Sequence, residues 1–463
     1  MMISREIEKR IQAKLFKKKV IIIYGARQVG KTTLVKDLLK KYPKQSIYLN
    51  CDELDIRNAL TDKTSTEIKA FLGNNKLVVL DEAQRVRNIG LTLKLMVDNF
   101  PELQIVATGS SSFELSNKII EPLTGRKFEF HLYPISYNEL RKYYASDLES
   151  KRHLERRIVY GMYPEVVLSS GEEEKEIVKN ITSSYLYKDI LAFQNIQNPE
   201  MLEKLLQALA LQIGNEVSYN ELSQIVGVDK NTISNYIQIL EQAFIIHRLS
   251  PFSRNIRNEL KKLRKIYFWD TGVRNALINN FNALDLRQDT GALWENFLIN
   301  ERIKNNCNKN KDFNKYFWRT HNQQELDYIE EESGKIHAFE FKWKKQKFHP
   351  PSSFTDNYKQ STVELIHNEN FEKFLSSGAG TKLRSQKRVC ILRYLTLLRG
   401  AEYPDMSIGT PSNGTLSKAF KSSQIILIQP PRKIGQVLIV LDALIHQKGE
   451  EIPAGVRYWK LKI

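Results

Sequence analysis

Residues 19–39 read Lys19-Val-Ile-Ile-Ile-Tyr24-Gly25-Ala26-Arg27-Gln28-Val29-Gly30-Lys31-Thr32-Thr33-Leu-Val-Lys-Asp-Leu-Leu39. The β-branched, unbroken apolar run at 19–24 predicts a strand buried on both faces of a parallel sheet. The residues from Thr33 onward predict a helix. Between them lies GxxxxGK[ST] in the strand–loop–helix context that gives the motif meaning. Its glycines let the backbone wrap a phosphate chain with N–H groups turned inward, helped by the helix N-terminus. Gly25, Ala26, Arg27, Gln28, Val29, Gly30, Lys31, Thr32 and Thr33 are thus expected to bind a nucleotide. Lys31 would reach the β/γ oxygens and the Thr32 hydroxyl would hold Mg²⁺.

Two further strands follow. Lys76-Leu-Val-Val-Leu80-Asp81-Glu82-Ala-Gln84 ends in two acids: Asp81 is expected on Mg²⁺ and Glu82 as the base that polarises an attacking water. Leu103-Gln-Ile-Val-Ala-Thr108-Gly109-Ser110 is expected beside the first strand, bringing Ser110 near the γ-phosphate; a turn that caps the next helix is the competing reading. Arg126, in LTGRKFEF, is expected either as an arginine finger, in cis or in trans, or as half of a structural ion pair. No guanine-reading NKxD segment follows, which favours ATP over GTP.

The whole chain sets the frame for these motifs. Its 463 residues, 41% hydrophobic and 10% aromatic, exclude wholesale disorder and suggest several domains. Cys51, Cys307 and Cys390 are far apart and odd in number, so they build neither a disulfide framework nor a CxxC metal site. The charged opening residues lack a signal-peptide pattern, and apolar runs such as Val437 to Leu441 fall short of the ~20 residues of a membrane helix. A soluble cytoplasmic protein with no membrane partner is the expectation.

GARQVGKTTL, the strand ending NCDE, VVLDEAQ, TGSSS, LTGRKFEFHLYPIS, GMYPEVV and YLYKDIL together resemble the prokaryotic AAA-type ATPases that carry a C-terminal domain of unknown function. The resemblance spans residues 1 to about 375. It implies an ATPase core of the additional-strand type, with Lys31, Thr32, Asp81 and Glu82 as the working residues.

Beyond the core, 136–160 and 171–210 read as amphipathic helices of a lid, with Gly161-Met-Tyr-Pro164 turning between them. Ser218 and Glu221 suggest a capping box, Gly227 a tight turn, and Asp229 the cap of a second helix. Ile233, Ile237 and Leu240 should face inward on that helix, leaving Lys230, Asn231, Thr232, Ser234 and Asn235 outward. With wing strands from Phe244 and Lys265 this is a winged helix. It serves either DNA reading, with Arg254 to Lys265 on phosphates, or protein docking.

Further on, Tyr316-Phe-Trp-Arg319, Glu325-Leu-Asp327-Tyr-Ile and His337-Ala-Phe-Glu340-Phe-Lys342 alternate as strands across Gly334. Glu340 and Lys342 share a face, and with Asp327 they give D…ExK, a nuclease signature. Asp327 and Glu340 would hold a divalent cation, Glu295 would add a ligand, and Lys342 would orient water. A solvated sheet face is the plainer reading. The resemblance adds that this family's C-terminal domain is similar to the restriction-endonuclease fold at these positions, which supports scaffold more than activity.

The expected organisation is multidomain α/β. A P-loop core with a parallel sheet occupies 1–133, a helical lid 134–200, a winged helix 201–275 and a nuclease-like α/β domain 276–375. A basic extension, 376–463, is either a small β-rich appendage or an aberrant extension. Of the formal net charge of +17, this extension carries +9 (14 Lys and Arg against 5 Asp and Glu), leaving +8 for the other 375 residues. Net charge therefore does not argue for nucleic acid on the ATPase core.

Three functions remain in view. The first is a Mg²⁺-dependent ATPase acting through its modules on DNA or RNA. The second is an ATP-dependent signalling or toxin-like switch with protein partners and an inactive nuclease-like domain. The third, a small-molecule kinase, is disfavoured by the Asp-Glu pair and the appended modules. A homo-oligomer is compatible with all three.

Overall fold

The structure is a computed structural model that describes residues 3–109, 119, 122–193, 199–252, 264–320 and 322–376; along 184–193 only the backbone is described. Ser110, the stretch 254–263 and the extension beyond 376 lie outside these residues.

The first sheet is parallel throughout and ordered β2-β3-β4-β1-β5. Its strands are β1 (Val20–Tyr24), β2 (Ser46–Asn50), β3 (Leu77–Asp81), β4 (Gln104–Gly109) and β5 (Lys127–His131). Val20, Ile21, Ile22 and Ile23 are fully buried, each stabilising the sheet by about 1.5–3 kcal/mol. β4 pairs with β1 on one side and β3 on the other, so one strand separates the phosphate-loop motif from Asp81. The loop and Asp81 both emerge at the carboxyl edge of the sheet, where ligands bind in open α/β sheets.

Behind this sheet the chain is helical. The stretch 136–160 forms three short helices, Tyr137–Tyr144, Asp147–Arg152 and Leu154–Tyr160, instead of one continuous helix. Ser136 accepts from the Glu139 N–H in a full capping box, and Ser146 accepts from the Glu149 N–H. Each serine starts its own helix. Helices Pro164–Leu168, Glu173–Phe193 and Pro199–Leu211 follow.

A helix pair comes next, Tyr219–Val226 and Lys230–Gln242, turning at Gly227 with φ 81°. Ser218 accepts from the Glu221 N–H, but the Glu221 carboxylate receives Gln212 instead of returning to Ser218, so the cap is half of the expected box. Asp229 caps the second helix through the N–H groups of Asn231 and Thr232. Ile233, Ile237 and Leu240 are buried and Lys230, Asn231 and Asn235 exposed, while Thr232 and Ser234 are half-buried.

The second sheet has seven strands ordered β12-β11-β10-β9-β7-β8-β6. They are β6 (Glu216–Val217), β7 (Ile246–Pro251), β8 (Arg264–Phe268), β9 (Asn314–Arg319), β10 (Glu325–Glu332), β11 (Lys335–Phe341) and β12 (Thr362–Ile366). The strands beside the helix pair join the later hairpin because β7 pairs in parallel with β9, Ser250 opposite Tyr316. A single sheet thus runs across position 275. Ser333 and Gly334, both at positive φ, make the two-residue turn between β10 and β11. Helix Thr290–Asn308, buried along most of its length, packs against this half of the molecule.

Candidate functional site

Gly25 stands where a Cβ would lie 2.2 Å from the Leu132 carbonyl oxygen, so only glycine lets the loop leave β1 there. Gln28 (φ 60°) and Gly30 (φ 95°) take left-handed backbone, which turns successive N–H groups to one side. Gly30 is the N-cap of helix Lys31–Leu39 and offers no side-chain cap of its own, leaving the first-turn N–H groups for an anion. Lys31 is buried and donates to the carbonyls of Gly25 (3.0 Å) and Ala26 (2.9 Å).

Asp81 is the hub at the end of β3. Oδ2 accepts from the hydroxyls of Thr32 (2.7 Å) and Tyr48 (2.6 Å), and Oδ1 from Thr108. Thr108 in turn accepts from the Glu82 N–H at 3.1 Å. Glu82 has left-handed backbone (φ 53°), and its Oε2 receives the Gln84 amide at 2.6 Å. Burial, then the bond to Asp81, pushes the Tyr48 phenol above its ordinary range. Burial and the Asp81 charge push the Cys51 thiol up to about 12, leaving it an unreactive core group. Thr32, Asp81, Glu82 and Lys31 therefore converge, although they are up to 51 residues apart.

One residue and one cavity escaped the motif reading. Arg5 donates to the Val29 carbonyl inside the loop (2.8 Å), to the Tyr133 carbonyl (2.6 Å) and to Glu139 (3.2 Å). A lone arginine just before a charged N-terminal helix carries no local signal for this. Beside Gly30 and Thr33 lies a cavity of about 120 Å³, lined in part by Ile3, Val29, Leu34, Ile135 and Pro164.

For Arg126 the cis-finger reading must be corrected, while the ion-pair reading agrees with the structure. Arg126 precedes β5, which runs parallel to β1, and its carbonyl accepts from the Val20 N–H at the start of β1. That is the amino edge of the sheet, opposite the phosphate loop, and its guanidinium pairs with Asp98 at 2.7 Å. Arg126 cannot act in cis on its own chain's loop.

Of the D…ExK residues, Asp327 meets an unexpected cation, while Glu340 and Lys342 pair with each other. Asp327 lies where the pairing of β10 with β9 slips register between Leu326 and Ile329, an irregularity of the kind that re-aims side chains. Its Oδ2 accepts from the Phe341 N–H at 2.7 Å. Lys342 pairs with Glu340 at 2.8 Å, and Glu340 Oε2 is buried with no partner among the described residues. Lys265, expected on an exposed phosphate-binding stretch, is instead buried. Its ammonium pairs with Glu325 and with Glu295 (3.0 Å) and lies 3.9 Å from Asp327. Burial raises the carboxyl of Glu295 to about 8 and that of Glu340 to about 7, and pushes Asp327 up as well. Burial opposes the charge on Lys265, but Glu295, Asp327 and Glu325 outweigh it and hold the ammonium above its ordinary range. Among the described residues no three His, Cys, Asp or Glu side chains are grouped as a metal ion would need. Nor is any described helix long and apolar enough to cross a membrane.

Comparison with known proteins is consistent with the first of these two sites. Residues 17–141 match the family described as AAA domain, 151–284 a domain of unknown function (DUF8612), and 290–377 another (DUF4143). The chain is 25% identical over 345 residues to an uncharacterized protein of Methanocaldococcus jannaschii, covering 70% of this chain and 75% of that one. It is 27% identical over 343 residues to an uncharacterized protein of Mycobacterium tuberculosis, covering 73% of each. A solved structure, a Walker-type ATPase of Pyrococcus abyssi, is similar at 17% identity with a TM-score of 0.44, over 60% of this chain and 96% of that one. The chain thus carries an AAA-type P-loop ATPase domain and, toward its C-terminus, a DUF4143 domain of unknown function.

Proposed function

We propose that the chain is a Mg²⁺-dependent ATPase whose nucleotide state is transmitted to its C-terminal half. The observation that carries this is the Thr32–Asp81 bond at 2.7 Å, which brings the two expected magnesium holders together at the mouth of the loop. Bound Mg²⁺ supplies neutralisation of the phosphate charge; Thr32 and Asp81 would hold it. Lys31 gives up its carbonyl partners to meet the phosphate oxygens. Glu82, oriented by Gln84, takes the proton of the attacking water. The apolar cavity beside Gly30 suits a nucleobase.

On this reading, residues 1–133 form the core, 134–200 the lid, 201–275 a winged helix and 276–375 a nuclease-like scaffold. The exposed Lys230, Asn231 and Asn235 suit contact with nucleic acid. A switch with protein partners is the second reading, favoured by the buried bonds that tie the start of the lid to helix Thr290–Asn308. Glu301 accepts from the Tyr137 N–H at 2.5 Å, and Lys304 donates to the Ile135 carbonyl at 3.2 Å. Phosphate release by wild type, Lys31→Ala and Glu82→Gln, with and without DNA and RNA, tests both. Unimpaired release by the two variants sinks the ATPase site, and stimulation by nucleic acid separates the readings.

A further inference from the structure

Lys265 enters the acid cluster from a strand that the hairpin itself does not include. It stands on β8 opposite Leu249 of β7 and opposite Glu216 of β6. Its ammonium reaches past β7 and lies 5.6 Å from the centre of the Phe317 ring on β9. There it meets Glu325 and Asp327 of β10, and Glu295 of helix Thr290–Asn308. Tyr267, two residues along the same strand and therefore on the same face, donates to Glu295 at 2.5 Å. The cluster is thus assembled from β8, β10 and a helix, and its cation comes from residues that precede the D…ExK hairpin by about sixty positions.

A D…ExK centre needs its carboxylates turned onto one shared cation. Here both oxygens of Asp327 have other neighbours: Oδ2 is bonded to the Phe341 N–H and Oδ1 faces Lys265. Glu295 spends Oε1 on Lys265 and Tyr267. Glu340 turns one oxygen to Lys342, and only its Oε2 stays open. A buried ammonium already held by carboxylates leaves a second, divalent charge opposed at close range, where the low dielectric makes like-charge repulsion costly. These residues do not fit a resident metal ion.

We infer that Lys265 is the permanent counter-ion of the Glu295–Glu325–Asp327 cluster, competing for the Asp327 carboxylate that a divalent cation would have to share with Glu340 in a D…ExK centre. The C-terminal module is then a lysine-bridged joint between β8, β10 and helix Thr290–Asn308, and it cleaves no phosphodiester by a metal-dependent route.

The test is Mn²⁺ titration of the nucleotide-free full chain by calorimetry, comparing wild type with Glu340→Gln, Asp327→Asn, Lys265→Ala and Lys265→Ala/Asp327→Asn. Wild type and Glu340→Gln should titrate alike, because any Mn²⁺ they take lies at Asp81. Lys265→Ala should gain one equivalent, lost again in Lys265→Ala/Asp327→Asn. A wild-type Mn²⁺ equivalent abolished by Glu340→Gln or Asp327→Asn overturns the inference, as does Mn²⁺-dependent plasmid cleavage that Glu340→Gln removes. A folded Lys265→Ala that gains nothing overturns it too. Should Lys265→Ala fail to fold, wild type against Glu340→Gln decides alone. None of these readouts depends on ATP turnover, so the inference and the proposed ATPase can fail separately.

Discussion

A close approach of two backbones offers a sharp perturbation. Where helix Leu154–Tyr160 ends and helix Thr271–Leu277 begins, a Cβ on Gly272 would lie 2.0 Å from the Tyr160 carbonyl oxygen. Gly272 has ordinary φ, so Gly272→Ala is a steric change without backbone strain. Ordinary carbon–oxygen contact lies near 3.2–3.4 Å, so the helices must part by roughly 1.2 Å or more. Two short bonds cross this joint: Met162 N–H to Asp270 Oδ2 at 2.7 Å and Asn275 Nδ2 to the Val159 carbonyl at 2.7 Å. Displacement of that size takes both beyond hydrogen-bond range, at about 1–3 kcal/mol for each buried group left unpaired, with overpacking adding about 1–3 kcal/mol. We expect Gly272→Ala to cost roughly 3–9 kcal/mol, a large share of the ~5–15 kcal/mol that holds a domain folded. Gly291→Ala, where the added methyl meets open space at the start of a helix, should be neutral or stabilising by under about 1 kcal/mol. Urea unfolding followed by tryptophan fluorescence reads the region directly, since Trp269 adjoins Asp270 and stacks on Tyr133 at 4.3 Å. A Gly272→Ala loss within about 1 kcal/mol of Gly291→Ala would refute the steric reasoning.

Other consequences are open to measurement. Burial holds the His247 imidazole down to about 4 from 6.5 despite its bond to Asn300. The unfolded chain therefore binds the extra proton first: this stability is complete above pH 6.5 and is lost as pH falls toward 4, about 2 kcal/mol of it between pH 7.5 and 5. His247→Gln should flatten the pH dependence of the urea midpoint by that amount. Glu330 is buried and accepts from Arg302 (2.8 and 2.7 Å) and Asn306 (2.7 Å), so Glu330→Leu should cost about 3–5 kcal/mol. Arg302→Met in the same chain should recover most of that loss; additive losses in a double-mutant cycle count against the pairing. Arg5→Ala, which frees the Val29 carbonyl and Glu139, should raise KM for ATP about 10-fold or more with a smaller effect on kcat. Arg126→Ala should leave phosphate release by the isolated chain within about twofold, because its exposed pair with Asp98 contributes only ~0–1 kcal/mol.

What could be read without coordinates was whatever is encoded over a few consecutive residues. The phosphate loop, the strand ending in Asp81-Glu82 and the caps at Ser218 and Asp229 each join a local backbone preference to a local polar pattern. The turn at Ser333-Gly334 was equally visible. Lys265 was misread because a lysine after Arg254 and Lys261 looks like part of a solvated basic run. Its burial follows from strand order, which no neighbouring residue records. Arg5 was missed for the same reason, its partners lying 24 to 134 positions away. Arg126 could be assigned to the vicinity of the sheet, but not to one edge or the other, until β5 was known to run parallel to β1.

The pairing of β7 with β9 carries a practical corollary. A polypeptide ending at residue 275 would leave β7 with bare N–H and C=O groups along the side that β9 covers, an open template for other chains. One beginning at residue 276 would lose the lysine that answers Glu295, Glu325 and Asp327. Neither piece should be soluble when expressed alone, and the two halves of this sheet can be exchanged between related proteins only together.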